Sequence, residues 1–475
     1  MKKNQHQTVR AMAVAAALSL GGCALTAPPA KVDPAAPQQW LAPLPHNGSL
    51  TDLNNWWQSQ GDPLLVQLID AAQAASPTLA SARSRIAQSR AERVAAGAAL
   101  APNLDLAGSV ARQNQQSSIP TGTTSQVALQ ASWEIDVFGA GRAARNAAEA
   151  RFNGASAGWH EARVSVAAET ANQYYGLRAC EQLLKVAVQD AGSRAYSARL
   201  TELSSKAGFV PPADAALARA SAADGRNRAS AQRAACDIGV KSLVALTAIA
   251  EPELRAKLAA AGTAAAAASA SAPAIAIAAL PAQTLSQRPD VYTAEQEVAA
   301  ASFEVRGAQA QRYPRLSLSG SVGAANFRSG GENTQLDTWT VGPLAISVPV
   351  FDAGRRRANV DAAQARYELA VSQYRANVRK AVAELEQAMV TLNSTGERAA
   401  DAETSLQGYR VAFTATEDRY KNGLASLLEL EDARRSRLAA ENTVVNLQQE
   451  RSNAWVALYR AAGGGWTAPA TTNNQ

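Results

Sequence analysis

An internal repeat is the feature that most constrains the fold of this chain of 475 residues. Two proline-bounded segments are similar and lie roughly 212 residues apart, and two further motifs recur at nearly the same offset. The sequence therefore predicts two copies of one structural unit. The matching pairs are residues 77–110 with 289–322, residues 137–142 with 350–355, and Lys206-Ala-Gly208 with Lys421-Asn-Gly423.

Each copy has the same predicted order of elements: a helix, two strands, and a long helical hairpin. An Ala/Ser/Pro-rich linker, residues 262–281, joins the copies, and a polar tail, residues 467–475, follows them. The first repeat spans residues 61–261, with a β-hairpin at 103–137 and a helical hairpin at 141–261. The second spans residues 282–466, with a β-hairpin at 315–350 and a helical hairpin at 354–462.

The strand segments alternate apolar and polar residues. From Gln126 to Val137 almost every second residue is apolar, and residues 104–110 and 344–350 repeat the pattern. Strands of this length with one apolar face are typical of a transmembrane β-barrel, although a strand pair packed over helices in a soluble domain fits the alternation equally well. Four strands are too few to close a barrel, so several chains must share one. Three chains would supply 12 strands.

The helical segments between Gly141 and Lys206 and between Gly354 and Lys421 contain no interior proline. Each would extend about 100 Å if continuous. Apolar residues recur every three or four positions along residues 367–385, which is typical of a coiled-coil core. Much of the apolar content is alanine and only 5% of residues are aromatic, so we expect long helices that pack closely side by side.

The N-terminus is predicted to be an export signal. Basic residues precede an apolar stretch, and residues 1–22 are too short to span a bilayer comfortably. The segment ends in Leu20-Gly21-Gly22-Cys23, which resembles the bacterial lipoprotein signal with Cys23 as the lipidated residue. An ordinary signal with an incidental cysteine is the alternative. Because Ala24 is not aspartate, the resemblance implies the outer membrane, with residues 23–60 as an extended tether.

Two further cysteines, Cys180 and Cys236, flank the predicted turn near Gly208 at similar distances along the chain. The arms of an antiparallel hairpin would bring the two thiols to nearly the same height. They form either a disulfide or two buried free thiols.

Several functional classes are unsupported by the sequence. The formal net charge of +6 comes partly from the leader, and the remainder is too small to indicate a nucleic-acid partner. The three histidines do not cluster with the cysteines, so we expect no metal site, and no cofactor other than the covalent lipid. No phosphate-binding glycine loop and no nucleophile motif occur, which argues against an enzyme.

Taken together with three motifs, these features resemble the outer membrane factor family of TolC, OprM and NodT type. The resemblance implies a mixed α/β, TolC-like membrane protein with four transmembrane strands per chain. Three chains would form a 12-stranded barrel, continued by long antiparallel periplasmic hairpins that form a tunnel. The motifs are Trp56-Trp57 with Asp62-Pro63-Leu64-Leu65, Arg288-Pro289-Asp290-Val291 through Tyr313-Pro314-Arg315-Leu316, and Leu458–Trp466.

The resemblance also implies where the tunnel is gated. The second hairpin would place Leu428 at an apolar constriction and Asp432 in an acidic ring, with Arg435 as the ion-pair partner of Asp432. Glu429 matches a second acidic position of the TolC branch. The alternative is that Asp432 and Arg435 form only an exposed helical ion pair. In relatives, the hairpin tips contact the periplasmic adaptor; the matching residues are Lys206, Gly208, Lys421 and Gly423.

The function implied by this resemblance is an efflux exit duct. The partners would be two further copies of the chain, outer membrane lipid, a periplasmic adaptor and an inner-membrane transporter. The Gly-Gly-Gly-Trp motif near the C-terminus favours a resistance-nodulation-division pump. The duct of an ABC-type secretion system is one alternative, and a periplasmic coiled-coil adaptor lipoprotein is another. An adaptor would contain one hairpin rather than tandem copies, so the repeat argues against it.

Overall fold

The structure, a computed structural model, describes residues 27–42, 56–114, 121–262 and 284–468. The predicted leader, the lipidation site Cys23, nearly all of the predicted linker 262–281 and the tail beyond residue 468 lie outside the described residues. The strands are β1 (Asn103–Gln113), β2 (Gly122–Ile135), β3 (Arg315–Ser329) and β4 (Glu332–Ser347). The helices are α1 (Trp56–Ser59), α2 (Pro63–Ala75), α3 (Pro77–Ala98), α4 (Ala140–Lys206), α5 (Pro212–Thr247), α6 (Glu251–Ala261), α7 (Pro289–Ala310), α8 (Arg355–Lys421) and α9 (Leu427–Ala461).

The chain divides into two compact units, and both take segments from each repeat. One unit contains the sheet; the other contains the largest apolar core and both helical turns. Neither repeat is a compact unit by itself. The first unit comprises Met1–Pro34, Ser84–Ser156 and Thr293–Arg375, and the second comprises Ala35–Arg83, Ala157–Tyr292 and Ala376–Gln475.

The first unit contains one antiparallel sheet in the order β1-β2-β3-β4. Its register places the predicted apolar residues on one face, as in the ladder Leu106, Leu129, Val322 and Trp339. All four side chains are exposed, so the alternative of a strand pair covered by helices is wrong. The opposite face carries small and polar residues, as in the ladder Asp105, Gln130, Ser321 and Thr340.

A β-bulge keeps this division of faces intact along β4. Leu318 pairs with Leu344, but Gly320 pairs with Val341, so Gly342 and Pro343 oppose a single residue of β3. Side-chain direction alternates at every residue, so in a regular strand Val341 and Leu344, three positions apart, would face opposite sides of the sheet. The bulge returns Leu344 to the apolar face.

Strands β2 and β4 end earlier than the alternation predicted, before Val137 and Val348. The side chain of Asp136 accepts hydrogen bonds from the backbone N–H groups of Gly141 (3.0 Å) and Arg142 (2.8 Å) at the start of α4. Asp352 likewise accepts from Gly354 and Arg356 at the start of α8. Asp136 and Asp352 therefore cap the two helices by accepting from their free N–H groups, and the chain leaves the sheet before these residues.

The two long helices predicted from the absence of proline are confirmed: α4 and α8 each contain 67 residues. Most of the predicted apolar stripe of α8 is buried, including Tyr367, Tyr374, Val378 and Leu385. The return arm of the first hairpin, however, is interrupted. Helix α5 ends at Thr247, its C-cap residue Ala248 has a left-handed φ of +55°, and α6 starts at Glu251.

The second unit has an apolar core formed by α1, α2 and parts of α4, α5, α6, α8 and α9. The predicted extended tether is wrong at its end, because Trp56–Ser59 is a helical turn. This turn buries Trp56 and Trp57 against the ring of Tyr459, at centroid distances of 5.0 and 4.8 Å. Burial of two large aromatic rings favours the turn over an extended chain.

A disulfide joins Cys180 of α4 to Cys236 of α5, with Cα atoms 5.5 Å apart. The sequence had left this pairing open. Cys236 is buried in the core of the second unit, and Cys180 packs against that core.

Within the described part of the chain, no helix combines the length and the apolar character needed to cross a membrane.

Candidate gate at the hairpin turns

The two hairpin turns have the same backbone geometry. At the first turn, the N–H of Phe209 donates to Ser204 O (2.9 Å) and that of Gly208 donates to Ser205 O (3.0 Å). At the second turn, Leu424 and Gly423 repeat these bonds to Arg419 and Tyr420. Both glycines have a positive φ, +79° and +74°, as this helix-ending motif requires.

The predicted tip residues lie at these turns and are accessible. Lys206 forms an ion pair with Glu202 (3.0 Å), and Lys421 forms one with Glu417 (3.0 Å). The next side chain after each turn glycine is a large exposed apolar one, Phe209 in the first hairpin and Leu424 in the second. Each tip therefore presents an exposed apolar residue close to a basic one.

Helix α9 starts with a capping box that engages one predicted gate residue. The N–H of Glu429 donates to Ser426 Oγ (3.2 Å), and the Glu429 carboxylate accepts from the Ser426 N–H (2.7 Å). This backbone hydrogen bond lowers the pKa of Glu429. The structure therefore gives Glu429 a capping role that the sequence analysis did not predict.

The other predicted gate residues lie on the exposed side of the first three turns of α9. Leu428 is exposed, and Asp432 forms an ion pair with Arg435 at 3.6 Å. The two charged side chains are 72% and 74% exposed. An ion pair this open to solvent contributes little to stability, about 0–1 kcal/mol, so both groups remain available to other charges.

The inner side of the same turns contains charged residues that the sequence analysis missed. Glu431 and Arg434 lie one residue before Asp432 and Arg435, and they contact Asp190 and Arg194 of α4. The spacing contained a signal, because Leu427, Leu430 and Arg434 recur at the i, i+3, i+7 spacing of a buried stripe. Burial lowers the pKa of the Arg434 guanidinium.

A direct hydrogen bond joins the two hairpins near their tips. The hydroxyl groups of Thr201 on α4 and Tyr420 on α8 lie 2.6 Å apart. A small apolar cluster adjoins this hydrogen bond: Phe413, Leu427 and Leu430 pack together with alanines of α4 and α5. The gate-bearing end of α9 is thus attached to the first hairpin by both apolar and polar contacts.

Most of the motifs that carried the family resemblance lie in the second unit; Tyr313-Pro314-Arg315-Leu316 belongs to the first. Asp62 caps α2 and accepts a hydrogen bond from the Tyr174 hydroxyl (2.6 Å). Arg288 donates to Asp290 (2.6 Å) and Glu384 (2.8 Å), and this pairing lowers the pKa of Asp290 despite burial, which raises it. A Cβ on Gly463 would lie 2.1 Å from Gln287 O, so only glycine allows this approach.

Across the described ranges, no group of three or more His, Cys, Asp or Glu side chains is arranged to hold a metal ion.

The chain is similar to known proteins over nearly its whole length. It is 30% identical over 469 residues to the pyoverdine export outer membrane protein OpmQ of Pseudomonas putida, covering 96% of this chain and 97% of that protein. It is 28% identical to the outer membrane protein OprJ of Pseudomonas aeruginosa, covering 95% and 94%.

Solved structures share the fold. The outer-membrane channel OprN superposes with a TM-score of 0.81 at 26% identity, covering 93% of this chain and all of that one. The CmeC outer membrane channel of Campylobacter jejuni also has a TM-score of 0.81, covering 94% and 96% at 22% identity, which supports the fold alone. The predicted TolC-like fold of one chain is therefore confirmed.

The family described as outer membrane efflux protein matches residues 68–248 and 280–464. The two matched segments correspond closely to the two repeats, and together they cover most of the chain. The chain belongs to the outer membrane efflux protein family, and it is an outer-membrane efflux channel rather than an enzyme.

Proposed function

We propose that this chain is the exit duct of a tripartite efflux system and works as a homotrimer. Its sheet contributes four strands to a shared 12-stranded barrel, and its helical hairpins form a periplasmic tunnel. An adaptor docks on the hairpin tips and links the duct to a resistance-nodulation-division pump in the inner membrane. The duct passes the small molecules that this pump delivers.

The observation that carries the proposal is the incomplete sheet. Strands β1 and β4 are the two edges of the sheet, and each pairs with only one strand of the described chain. Unpaired strand edges are avoided inside a bilayer. The apolar face of this sheet is exposed, including Leu106, Val110, Trp339 and Val341. Pairing β1 of one copy with β4 of the next would close a ring and direct this face to lipid.

The proposed gate follows from the threefold symmetry of the homotrimer. Three copies of Asp432 around one axis would repel each other, and cations or the adjacent Arg435 would neutralise them. The exposure of both side chains and of Leu428 supports this role. Glu429 adds a carboxylate on the same turn, although its own helix cap engages it.

The docking of the adaptor is proposed for the tips around Lys206, Gly208, Lys421 and Gly423. The support is the equal geometry of the two turns and the exposed Phe209 and Leu424 beside them. Two similar tips per chain would present six similar docking points per trimer.

Attachment to lipid is proposed through Cys23, which would carry the diacylglycerol and palmitate groups of a bacterial lipoprotein. The support is the sequence signal alone. Mass spectrometry of the N-terminal peptide of the membrane-extracted protein checks it. A free thiol at residue 23, or an N-terminus cleaved elsewhere, contradicts it.

The pump class is proposed from the Gly463-Gly464-Gly465-Trp466 motif and from the relatives. Those relatives include the toluene efflux pump outer membrane protein TtgI of Pseudomonas putida, which is 29% identical. Small molecules are the cargo named for TtgI and for the pyoverdine export protein OpmQ. Small molecules rather than secreted proteins are therefore the proposed cargo here.

The proposed function is tested on the full chain purified from outer membranes. We expect a trimer that resists detergent until it is heated, and discrete channels in planar bilayers. A strain without the gene should become more susceptible to toxic small molecules and recover when the gene is restored. A monomer without conductance would contradict the duct. Loss of a secreted protein with unchanged susceptibility would indicate the ABC-type alternative.

A further inference from the structure

Four charged side chains are withdrawn from solvent between α4 and α9, close to the gate. The exposed fractions are 0% for Arg434, 2% for Asp190, 9% for Arg194 and 15% for Glu431. Buried charges persist only where they are paired, and each of these four residues has an oppositely charged partner within the cluster. Asp190 Oδ1 and Arg434 Nε face each other at 3.9 Å without a hydrogen bond. All four residues lie in the second unit.

Arg434 of α9 contacts several residues of α4. Its guanidinium donates to Glu431 on its own helix, to Ser193 Oγ at 3.0 Å and to Ser197 Oγ at 3.1 Å. It also lies 3.9 Å from Asp190. The planar fork of arginine suits such simultaneous contacts, which a lysine amine would not reproduce.

Arg194 continues the same network to the other arm of the first hairpin. It donates to Asp190 at 2.7 Å, to Ser221 Oγ of α5 at 2.6 Å, and to Glu431. Arg228 of α5 also donates to Asp190, at 3.3 Å. The buried side of α9 is thus bonded to α4 directly and to α5 through Arg194 and Asp190.

Two ion pairs with the same i, i+3 spacing therefore lie side by side on α9. The Glu431–Arg434 pair faces inward and is buried, whereas the Asp432–Arg435 pair faces outward and is exposed. Successive residues of a helix differ in direction by about 100°. The inward pair consequently fixes the rotation of α9 about its axis, and this rotation decides where Asp432 points.

We propose that Arg434 is the positioning residue of the gate: its buried contacts with Ser193, Ser197 and Glu431 hold α9 in the rotation that keeps Asp432 on the exposed side of the helix, from which it can reach the axis of the trimer. The inference rests on the proposed duct and deepens it, because it identifies what holds the gate in place. Arg434 touches neither the cargo nor the pore axis. It acts through the orientation of Asp432 and Leu428.

The test compares gating with trimer stability in the same preparations. Arg434→Gln removes the charge and its bonds to Ser193 and Ser197, and it leaves the Glu431 carboxylate with Arg194 as its remaining arginine partner, which should release α9. We expect its mean single-channel conductance in planar bilayers to rise about threefold or more. Arg434→Lys keeps the charge without the fork and should give an intermediate rise.

A rescue variant separates positioning from simple damage. Glu431→Gln with Arg434→Gln leaves two neutral amides that can hydrogen-bond to each other, so conductance should return to within about twofold of the parent. The matched control is Arg398→Gln, which breaks an exposed ion pair between α8 and Glu450 of α9. Conductance of the control should stay unchanged.

Each outcome decides the inference. Arg434→Gln trimers with parental conductance would overturn it, as would a double variant as leaky as the single one. If Arg434→Gln fails to assemble, the lysine variant decides, and parental conductance there would overturn the inference. Parent trimers without channels would instead overturn the proposed duct, and the inference with it.

Discussion

The ring of His160 is the titratable group whose surroundings give the clearest pH prediction at the scale of a single residue. It packs against Trp159 (4.8 Å) and Trp466 (6.4 Å). Burial, and secondarily the charge of Arg163, lower its pKa below the ordinary value of 6.5. The folded protein therefore binds fewer protons at this site than the unfolded chain does, so His160 contributes stability above that value that is lost on acidification.

Replacing His160 with glutamine should reduce this pH dependence. Between pH 7.5 and 5.5 we expect the melting temperature of the parent protein to fall more than that of His160→Gln. Thermal melts in detergent at both pH values provide the measurement. Equal falls in the two proteins, or a larger fall in the variant, would show that the ring does not titrate as its burial indicates.

At the scale of elements, two adjacent residues of β4 allow the two faces of the sheet in the first unit to be tested separately. Val341 lies on the apolar face and is strongly exposed, whereas Thr340 lies on the opposite face, hydrogen-bonded to Ser321 at 2.7 Å. Val341→Arg should destabilise the assembled barrel by about 2–4 kcal/mol if the residue faces lipid near the midplane. The heat-dissociation temperature of the trimer measures this effect.

Thr340→Arg is the matched control, because it places the same charge on the same strand toward the polar face. We expect it to lower the dissociation temperature much less than Val341→Arg. If the two variants behave alike, or if the order is reversed, the assignment of faces to lipid and lumen is wrong.

The disulfide between α4 and α5 gives a second prediction at this scale. It closes a loop with a sequence separation of 56 residues, for which chain entropy predicts a stabilisation of about 4 kcal/mol. The double variant Cys180→Ser, Cys236→Ser should therefore melt at a lower temperature than the oxidised parent. A reductant should lower the melting temperature of the parent alone. Two free thiols in the native parent would contradict the bond.

At the scale of the whole molecule, the prediction concerns the proposed gate. Asp432→Ala would remove three carboxylates from the axis of a trimer, so we expect weaker block by multivalent cations, by about tenfold, and an altered conductance. Single-channel recordings with increasing cation concentration provide the measurement. Asp418→Ala, an exposed carboxylate on α8 near the tip, is the control for charge alone. Unchanged conductance and block in Asp432→Ala would remove Asp432 from the gate.

The sequence determined the features that repeat along the chain. The repeat offset, the alternation in residues 126–135 and the proline-free segments of α4 and α8 predicted the order of elements and the faces of the sheet. Periodicity suffices there, because the direction of each side chain follows from its position in its own strand or helix. The family motifs were readable for the same reason, since each lies within a short segment.

Only the tertiary structure determined the features that depend on contacts between residues far apart in the sequence. It paired Cys180 with Cys236 in a disulfide, whereas the sequence was equally compatible with two free thiols. It also placed Arg434 in the interior, although its neighbour Arg435 is exposed, because Ser193, Ser197 and Asp190 of α4 face it there. A charged residue at an apolar position can be interpreted only when its partners are known, and these partners lie more than 230 residues earlier in the chain.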